Sequence, residues 1–208
     1  FGFRRGRNQH QALDAVYMAI TTRKVSWIVD ADISRFFDQI DHGWMMKFLR
    51  HRIADKRILR LIELTLKAGV MEEGRKIRTR VGTPQGAVIS PLLANIYLHY
   101  VLDLWAHQWR RKQARGECYI VRFADDSVMG FQYRSDGFHF MEAMKRRLEK
   151  FGLKLNEDKS RLLEFGRFAL SNRKQKNRRK PETFDFLGFT HICSTRRSDG
   201  GFLLQRIT

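Results

Sequence analysis

The fold is decided by one short stretch, residues 119–131, which reads YIVRFADDSVMGF. β-Branched and aromatic residues on either side of Asp125 and Asp126 predict two short strands, residues 119–123 and 128–131, joined by a turn. Strands this short and apolar do not need acidic residues for solubility. The aspartate pair is therefore a candidate functional site, although Asp-Asp is also an ordinary turn sequence.

A second acidic cluster, Asp30-Ala31-Asp32, lies at the end of a strand predicted over residues 25–33. If this strand lies beside the hairpin, its last aspartate and the Asp125-Asp126 turn meet at one point. Mg²⁺ prefers oxygen ligands and is usually held by one or two carboxylates together with substrate phosphates. The two clusters thus predict a site for hard divalent cations. The alternative is that Asp30 and Asp32 only end a strand or cap a helix.

Helices and local hairpins alternate along the rest of the chain. Apolar residues at helical spacing predict helices over residues 9–23, 43–53 (with Asp41 as N-cap), 56–68 and 138–151. Ser90 and Pro91 predict a helix start, as N-cap and N1, with a buried face that continues to Leu104. Hairpins are predicted at residues 70–81 and at residues 184–192 with 202–207. The pattern predicts an α+β sheet domain and not a doubly wound one.

The charge balance points to a polyanionic partner. The 208 residues include 40 lysines and arginines against 22 aspartates and glutamates, a formal net charge of +18, while 43% of residues are hydrophobic, enough for one sizeable core. Nucleic acid is the leading partner. A basic protein of the membrane surface is the competing class, but no run of 18 apolar residues and no signal-peptide pattern occurs.

Two further features concern the chain's surroundings. Cys118 and Cys193 lack metal-ligand spacing, so we expect a reducing, cytoplasmic setting without a zinc site. Residues 171–181 carry six lysines and arginines and offer nothing apolar to bury, which predicts a mobile basic loop that needs an anionic partner to become ordered.

Six blocks of sequence, in the same order, resemble those of reverse transcriptases, and most closely those encoded by bacterial group II introns. They span nearly the whole chain. The blocks are FGFRRGR (1–7), DISRFF (32–37) with IDH (40–42), GTPQG (82–86) with ISPLLAN (89–95), FADD (123–126), GLKLN (152–156) with Lys159, and FLGF (186–189).

This resemblance implies a right-hand polymerase palm, an antiparallel sheet packed on helices, with partial fingers. The whole of residues 1–208 is then one fingers and palm core: about 1–24 and 43–90 are partial fingers, and 25–42 and 91–208 are palm. The family's thumb or maturase domain and its endonuclease domain are expected to be absent from this sequence.

The resemblance also implies a role for particular residues. Asp32, Asp125 and Asp126 become ligands of two Mg²⁺ ions, which Mn²⁺ can replace, with the Ile33 carbonyl joining them. Lys159 matches the lysine proposed to protonate the departing pyrophosphate; a surface lysine is its alternative. The residues implied in nucleotide binding are Arg4, Arg7, Phe37, Gln85 and Gly86, and those implied in nucleic-acid binding are Pro84, Leu187 and Gly188.

Phe37 corresponds to the aromatic gate that excludes a ribose 2′-hydroxyl, so deoxynucleotides are the implied substrates; an ordinary core phenylalanine is the alternative. The chain departs from the family pattern at Arg5, Ala87 and Ser127, and none of these changes removes an implied ligand.

The implied function is an RNA-directed DNA polymerase of the bacterial cytoplasm. It would add dNTPs to a primer 3′-hydroxyl on an RNA template, with a DNA or RNA primer, and intron RNA is a further candidate partner. No membrane partner is expected. One alternative is an RNA-binding maturase scaffold that assists splicing without polymerase activity, and another is an RNA-directed RNA polymerase. Retron, CRISPR-associated and defence-linked settings stay open, as does the oligomeric state.

Overall fold

The computed structural model describes residues 1–67, 70–72, 75–77, 81–83 and 88–208, with residues 70–72 and 75–77 described as backbone only. The chain forms two compact units. The first comprises Phe1–Asp32, Gln108–Ala143 and Asn156–Thr208. The second comprises Ile33–His107 and Met144–Leu155.

The elements alternate along the chain much as the sequence predicts. The helices are α1 Gln9–Thr22, α2 Phe36–Gln39, α3 His42–Arg50, α4 Lys56–Lys67, α5 Ser90–Leu98, α6 Leu104–Lys112, α7 Arg134–Lys150 and α8 Ala169–Gln175. The strands are β1 Trp27–Ala31, β2 Val70–Glu72, β3 Arg75–Ile77, β4 Cys118–Phe123, β5 Asp126–Phe131, β6 Arg161–Glu164, β7 Phe184–Phe186, β8 Phe189–Thr195 and β9 Phe202–Ile207.

A four-stranded antiparallel sheet in the order β4-β5-β1-β6 organises the first unit. A second sheet, β7-β8-β9, is also antiparallel. Helix α1 begins with a capping box, in which Asn8 and Gln11 satisfy each other's backbone N–H groups. Its face with Leu13 and Val16 joins Ile28 of the first sheet and Phe184 of the second in one buried cluster. The predicted α+β architecture, an antiparallel sheet packed on helices, is confirmed.

The second unit is mainly helical. Asp41 caps α3 as predicted, because its carboxylate accepts a hydrogen bond from the Trp44 N–H at 2.7 Å. The Tyr97 hydroxyl donates to the Phe151 carbonyl at 2.6 Å, so this buried tyrosine has a partner for its polar end. Strands β2 and β3 form the predicted antiparallel hairpin, whose turn lies outside the described residues.

Three local predictions need correction. Helix α5 begins at Ser90 with Ile89 at the N-cap, one residue earlier than predicted. A π-helical turn, His99–Asp103, follows α5, and Leu104 beyond it is 45% exposed and not buried. A π turn holds more residues than an α turn, so it rotates the apolar face out of phase for the residues that follow.

The third correction concerns the predicted basic loop, because its first five residues belong to α8. Asn172 donates to Glu164 at 3.0 Å, and Arg173 lies 3.7 Å from Glu164 and 3.3 Å from Glu182. These acidic partners offset the repulsion that the composition alone suggests. In the part of the chain that the structure describes, no helix is long and apolar enough to cross a bilayer.

Candidate active site

The predicted aspartate turn is the tip of the β4–β5 hairpin. Phe123 pairs with Asp126, which leaves Ala124 and Asp125 as the two turn residues. Ala124 has a φ of +54°, as tight hairpin turns require. Strand β1 pairs with β5 so that Ala31 lies opposite Ser127. One step further in this antiparallel register, Asp32 is level with Asp126.

The three carboxylates influence one another electrostatically. The pKa of Asp126 is raised, first by partial burial and then by the negative charges of Asp125 and Asp32. Among the described residues, no lysine or arginine lies within 4 Å of these carboxylates to pair with them. The hairpin tip therefore concentrates uncompensated negative charge in a chain whose net charge is +18.

This donor set fits a divalent cation in its chemistry. Carboxylate oxygens are the ligands that Mg²⁺ prefers, and a cation would offset the repulsion within the cluster. Among the residues described here, no three carboxylate, imidazole or thiolate side chains already converge as a closed metal cage. The fit rests on the type of donor and on the uncompensated charge.

Asn156 holds Asp32 by two hydrogen bonds. Its backbone N–H donates to the Asp32 carbonyl at 2.8 Å, and its side-chain amide donates to Asp32 Oδ2 at 3.2 Å. Ser160 adds a third contact, because its hydroxyl oxygen accepts from the Asp32 N–H at 3.3 Å. Lys159 lies exposed between these two partners of Asp32. The sequence placed Asn156 in a motif but gave no sign of its contact with Asp32.

Asp30 differs from Asp32 in its partners. It pairs with Arg161 across the β1–β6 ladder, at 3.5 Å between the Arg161 guanidinium and Asp30 Oδ2. Burial raises the pKa of Asp30 despite the nearby arginine. Asp30 is thus engaged in the sheet, while Asp32 remains at the end of its strand.

The N-terminal segment lies against the hairpin turn. The Phe1 nitrogen donates to the Arg122 carbonyl at 2.6 Å, and a Cβ atom added to Gly2 would lie 2.5 Å from the Ala124 nitrogen. Gly2 has a φ of +41°, so close approach and backbone conformation both require glycine there. The Arg7 guanidinium lies over the Phe1 ring, 5.6 Å from its centroid.

Sequence reasoning assigned no role to Gly2 or Arg122. Arg122 is 8% exposed within the short β4 strand, and its side chain donates to the Ala124 carbonyl of the turn. A charged residue inside an apolar strand was the available signal. Arg4 is exposed on the segment that Gly2 anchors; like Arg7, it remains a predicted triphosphate ligand.

Phe37 and Ile33 belong to the second unit. Ile33 is 8% exposed and forms an antiparallel bridge with Leu155. Phe37 is half-buried on α2, and its carbonyl accepts from the Thr83 N–H at 2.9 Å. The backbone of α2 is thereby tied to the residues just before Pro84. Pro84, Gln85 and Gly86 themselves lie outside the described residues.

Leu187 and Gly188 form the turn between β7 and β8, where Phe186 pairs with Phe189. Both have positive φ values, +53° and +79°. The Leu187 carbonyl accepts a hydrogen bond from the Gln9 side chain at 2.7 Å, so α1 fixes this turn. A Cβ at Gly188 would meet no atom within 4 Å, which leaves the turn open to an approaching backbone.

These features, a palm-like antiparallel sheet with an aspartate pair at a hairpin tip, agree with the family comparison. Residues 1–191 match the family model "Reverse transcriptase (RNA-dependent DNA polymerase)". The chain belongs to the reverse transcriptase family.

Three curated relatives cover about half of the chain at most. "Group II intron-encoded protein LtrA" of Lactococcus lactis subsp. cremoris is 40% identical over 111 residues, which are 53% of this chain and 18% of that protein. "Protein YkfC" of Escherichia coli is 38% identical over 111 residues, 52% of this chain and 29% of its own length. The "Uncharacterized 91 kDa protein in cob intron" of Schizosaccharomyces pombe is 42% identical over 98 residues, 47% of this chain and 12% of that protein. The chain thus spans less than a third of each relative.

Solved structures show the same fold at low identity. Apo telomerase from Candida tropicalis, truncated from its C-terminal domain, superimposes with a TM-score of 0.63 at 13% identity, covering 94% of this chain and 39% of that one. Telomerase from Candida albicans, in complex with a fragment of telomeric RNA, gives 0.61 at 16% identity, over 94% and 33% of the two chains. The fold class is therefore that of the reverse transcriptase and telomerase group.

Proposed function

We propose that this chain is the fingers and palm core of an RNA-directed DNA polymerase of the group II intron kind. The observation that carries the proposal is the register of β1 on β5, which aligns Asp32 with the Asp125-Asp126 hairpin tip. The substrates would be dNTPs and the primer 3′-hydroxyl, on an RNA template. Intron RNA would be a further partner, and the bacterial cytoplasm the setting.

Asp32, Asp125 and Asp126 would hold two Mg²⁺ ions, with the Ile33 carbonyl as an additional ligand. Such a pair, about 3.5 to 4 Å apart, activates the attacking hydroxyl and stabilises the leaving phosphate oxygen in an in-line displacement. The chain's own contribution is to orient the donors. Asn156 fixes one oxygen of Asp32 and leaves the other free to bind, and the hairpin tip presents Asp125 and Asp126 from a rigid sheet.

Other residues would position the nucleotide and handle the proton. Arg4 and Arg7 would bind the triphosphate through planar guanidinium groups, and Lys159 would donate a proton to pyrophosphate as it leaves. Phe37 would exclude a ribose 2′-hydroxyl. The remaining proposed contacts are Gln85 and Gly86 with the nucleotide, and Pro84, Leu187 and Gly188 with the nucleic acid.

The region boundaries follow from the same proposal. Residues 1–24 and 43–90 would be partial fingers, and residues 25–42 and 91–208 palm. Catalysis would then come mostly from positioning and charge stabilisation. The basic surface would hold the template and primer backbone without reading sequence, so binding should weaken steeply with salt.

Primer extension on an RNA template with dNTPs tests the proposal. We expect Asp125→Asn and Asp126→Asn to abolish product, while Asp55→Asn, at an exposed aspartate paired only with Arg57, leaves product unchanged. Equal product from all four proteins would refute the polymerase assignment. Intact RNA binding together with no extension by the unaltered chain would favour the maturase scaffold.

A second assay separates DNA from RNA synthesis. Replacing Phe37 by Ala removes the proposed steric gate, so we expect measurable incorporation of ribonucleotides in the same extension reaction. Unchanged rejection of ribonucleotides would remove the gate assignment. Efficient ribonucleotide use by the unaltered protein would instead support an RNA-directed RNA polymerase.

A further inference from the structure

A basic groove of about 720 Å³ lies within the first unit. One wall is helix α8 with the chain that follows it, up to Pro181, and the other is formed by strands β8 and β9. Its lining includes Arg167, Arg173, Lys174, Arg178, Arg179 and Lys180. None of the residues proposed to take part in polymerisation lines it.

The groove has no acidic lining among the described residues. Two of its six cations already have partners: Arg167 donates to the Thr21 carbonyl at 2.6 Å, and Arg173 pairs with Glu164 and Glu182. The other four side chains are exposed, and in the described part of the chain no acidic group lies within 4 Å of them. They are Lys174, Arg178, Arg179 and Lys180.

This cationic wall is fastened at both ends. Near its start, Asn172 and Arg173 bond to Glu164 of β6. At its far end, Glu182 lies 3.3 Å from Arg173 and 3.8 Å from Arg161. Like charges held together on a fastened segment repel one another, and the cost falls when an anion binds between them. The groove is therefore suited to a ligand with several negative charges.

The opposite wall narrows the choice of ligand. Ser194, Thr195 and Gln205 supply hydroxyl and amide groups able to donate to phosphate oxygens, and Ile192 and Phe202 supply apolar surface. Cations with spaced donors and an aromatic ring suit a strand in which phosphates alternate with sugars and bases. A lipid bilayer presents a flat surface, which a concave groove contacts poorly.

We propose that this groove binds the sugar-phosphate backbone of an RNA strand. The binding goes beyond the proposed polymerase function, because it requires neither the three aspartates nor a nucleotide. It gives the predicted basic loop a role: the four exposed cations are phosphate ligands on a fastened wall.

Fluorescence anisotropy with a 5′-fluorescein-labelled, unstructured 20-nucleotide RNA tests the proposal over a series of KCl concentrations. One variant changes Lys174, Arg178, Arg179 and Lys180 to Gln. Its matched control changes four exposed cations on α6 and after it, outside the groove and in the same unit, namely Arg110, Arg111, Lys112 and Arg115. Both variants lose four positive charges, so any effect of net charge alone is equal.

The groove variant should lose about 0.7 units of salt slope per lost phosphate contact, so about 3 units for four contacts. Over a fourfold rise in salt, the unaltered protein and the control should then lose about 50-fold more affinity than the groove variant. Equal slopes for the groove variant and its control would overturn the proposal. Circular dichroism checks folding, and the milder pair Arg178→Gln with Arg179→Gln, at exposed positions, serves if the fourfold variant unfolds.

Two further measurements locate the contact. RNA carrying 4-thiouridine, crosslinked by light and mapped by mass spectrometry, should mark residues 167–181 or 192–205; crosslinks confined to other regions would contradict the assignment. Vesicles containing phosphatidylserine provide the membrane arm. Groove-dependent binding to vesicles with unchanged RNA binding would replace RNA by a lipid surface. An Asp125→Asn protein should retain groove-dependent RNA binding, which separates this proposal from the polymerase proposal.

Discussion

Replacing Asn156 by Ala should weaken metal binding much more than it weakens the fold. The substitution removes the side-chain hydrogen bond to Asp32 Oδ2 at 3.2 Å but keeps the backbone N–H bond to the Asp32 carbonyl at 2.8 Å. Asp32 thus stays at the end of β1 while its carboxylate becomes free to rotate. The loss falls on the orientation of the carboxylate.

The magnitude follows from one lost bond to a charged group. Such bonds contribute about 1.5–3 kcal/mol when well shielded, and Asp32 and Asn156 are only half-buried, so we expect about 1.5 kcal/mol. This corresponds to an increase of about 10-fold in the Mg²⁺ concentration needed for half-maximal extension, at the lower end of the 10- to 100-fold typical of residues that orient metal ligands. Asn156→Asp should be worse, because it adds a negative charge and removes the donor.

The chain offers a matched control in Asn172, which also donates one side-chain hydrogen bond to a carboxylate, Glu164, at 3.0 Å. Asn172→Ala should lower thermal stability to a similar degree and leave the Mg²⁺ dependence unchanged. Metal affinity is measured by Mn²⁺ electron paramagnetic resonance titration, without any reaction, and by extension rates across Mg²⁺ concentrations. If Asn156→Ala matches Asn172→Ala in both titrations, Asn156 does not position a metal ligand.

Three further predictions concern charge, close packing and pH. Asp126→Asn removes repulsion in the acidic cluster, so it should raise the melting temperature of the metal-free protein by up to about 2–4 °C, the value for about 1 kcal/mol in a domain of this size; a lower melting temperature in scanning calorimetry would contradict this. Gly2→Ala should displace the Ala124 turn and reduce extension at least 10-fold, whereas Gly6→Ala, also at positive φ but with open space around its Cβ, should not. Burial lowers the pKa of His191 to about 4, so the unfolded chain takes up a proton near pH 6.5 that the folded chain refuses. Stability should then fall by up to about 3 kcal/mol as the pH drops from about 6.5 to about 4, and urea unfolding of His191→Phe should show a flatter profile in this window.

The sequence predicted those parts of the fold that local chemistry determines. The β4–β5 hairpin follows from apolar residues on both sides of Asp125 and Asp126, and the start of α3 from Asp41 as N-cap. Both depend on residues within a few positions of each other. The same holds for α1, whose predicted span differs from the observed Gln9–Thr22 by one residue.

Long-range pairing was beyond prediction from local patterns. Strand β6 was not predicted, although it completes the sheet next to β1 and its Arg161 takes up Asp30. The contact of Asn156 with Asp32 joins residues 124 positions apart in the sequence. The π-helical turn before Leu104 also has no sequence signal of the kind that caps and turns provide.

The alignment of the carboxylates depends on the hydrophobic core as much as on the aspartates themselves. Side chains alternate between the two faces of a strand, so a slip of one residue between β1 and β5 would move Asp32 away from Asp126 and turn Ile28 out of the core. Ile28 is 1% exposed, and a Cβ at Gly130, its partner on β5, would lie 3.0 Å from the Val25 side chain. Tight packing at the far end of the strand pair therefore fixes the register that aligns the acidic residues at its other end. Core substitutions at Ile28 or Gly130 should thus weaken metal binding without touching any ligand.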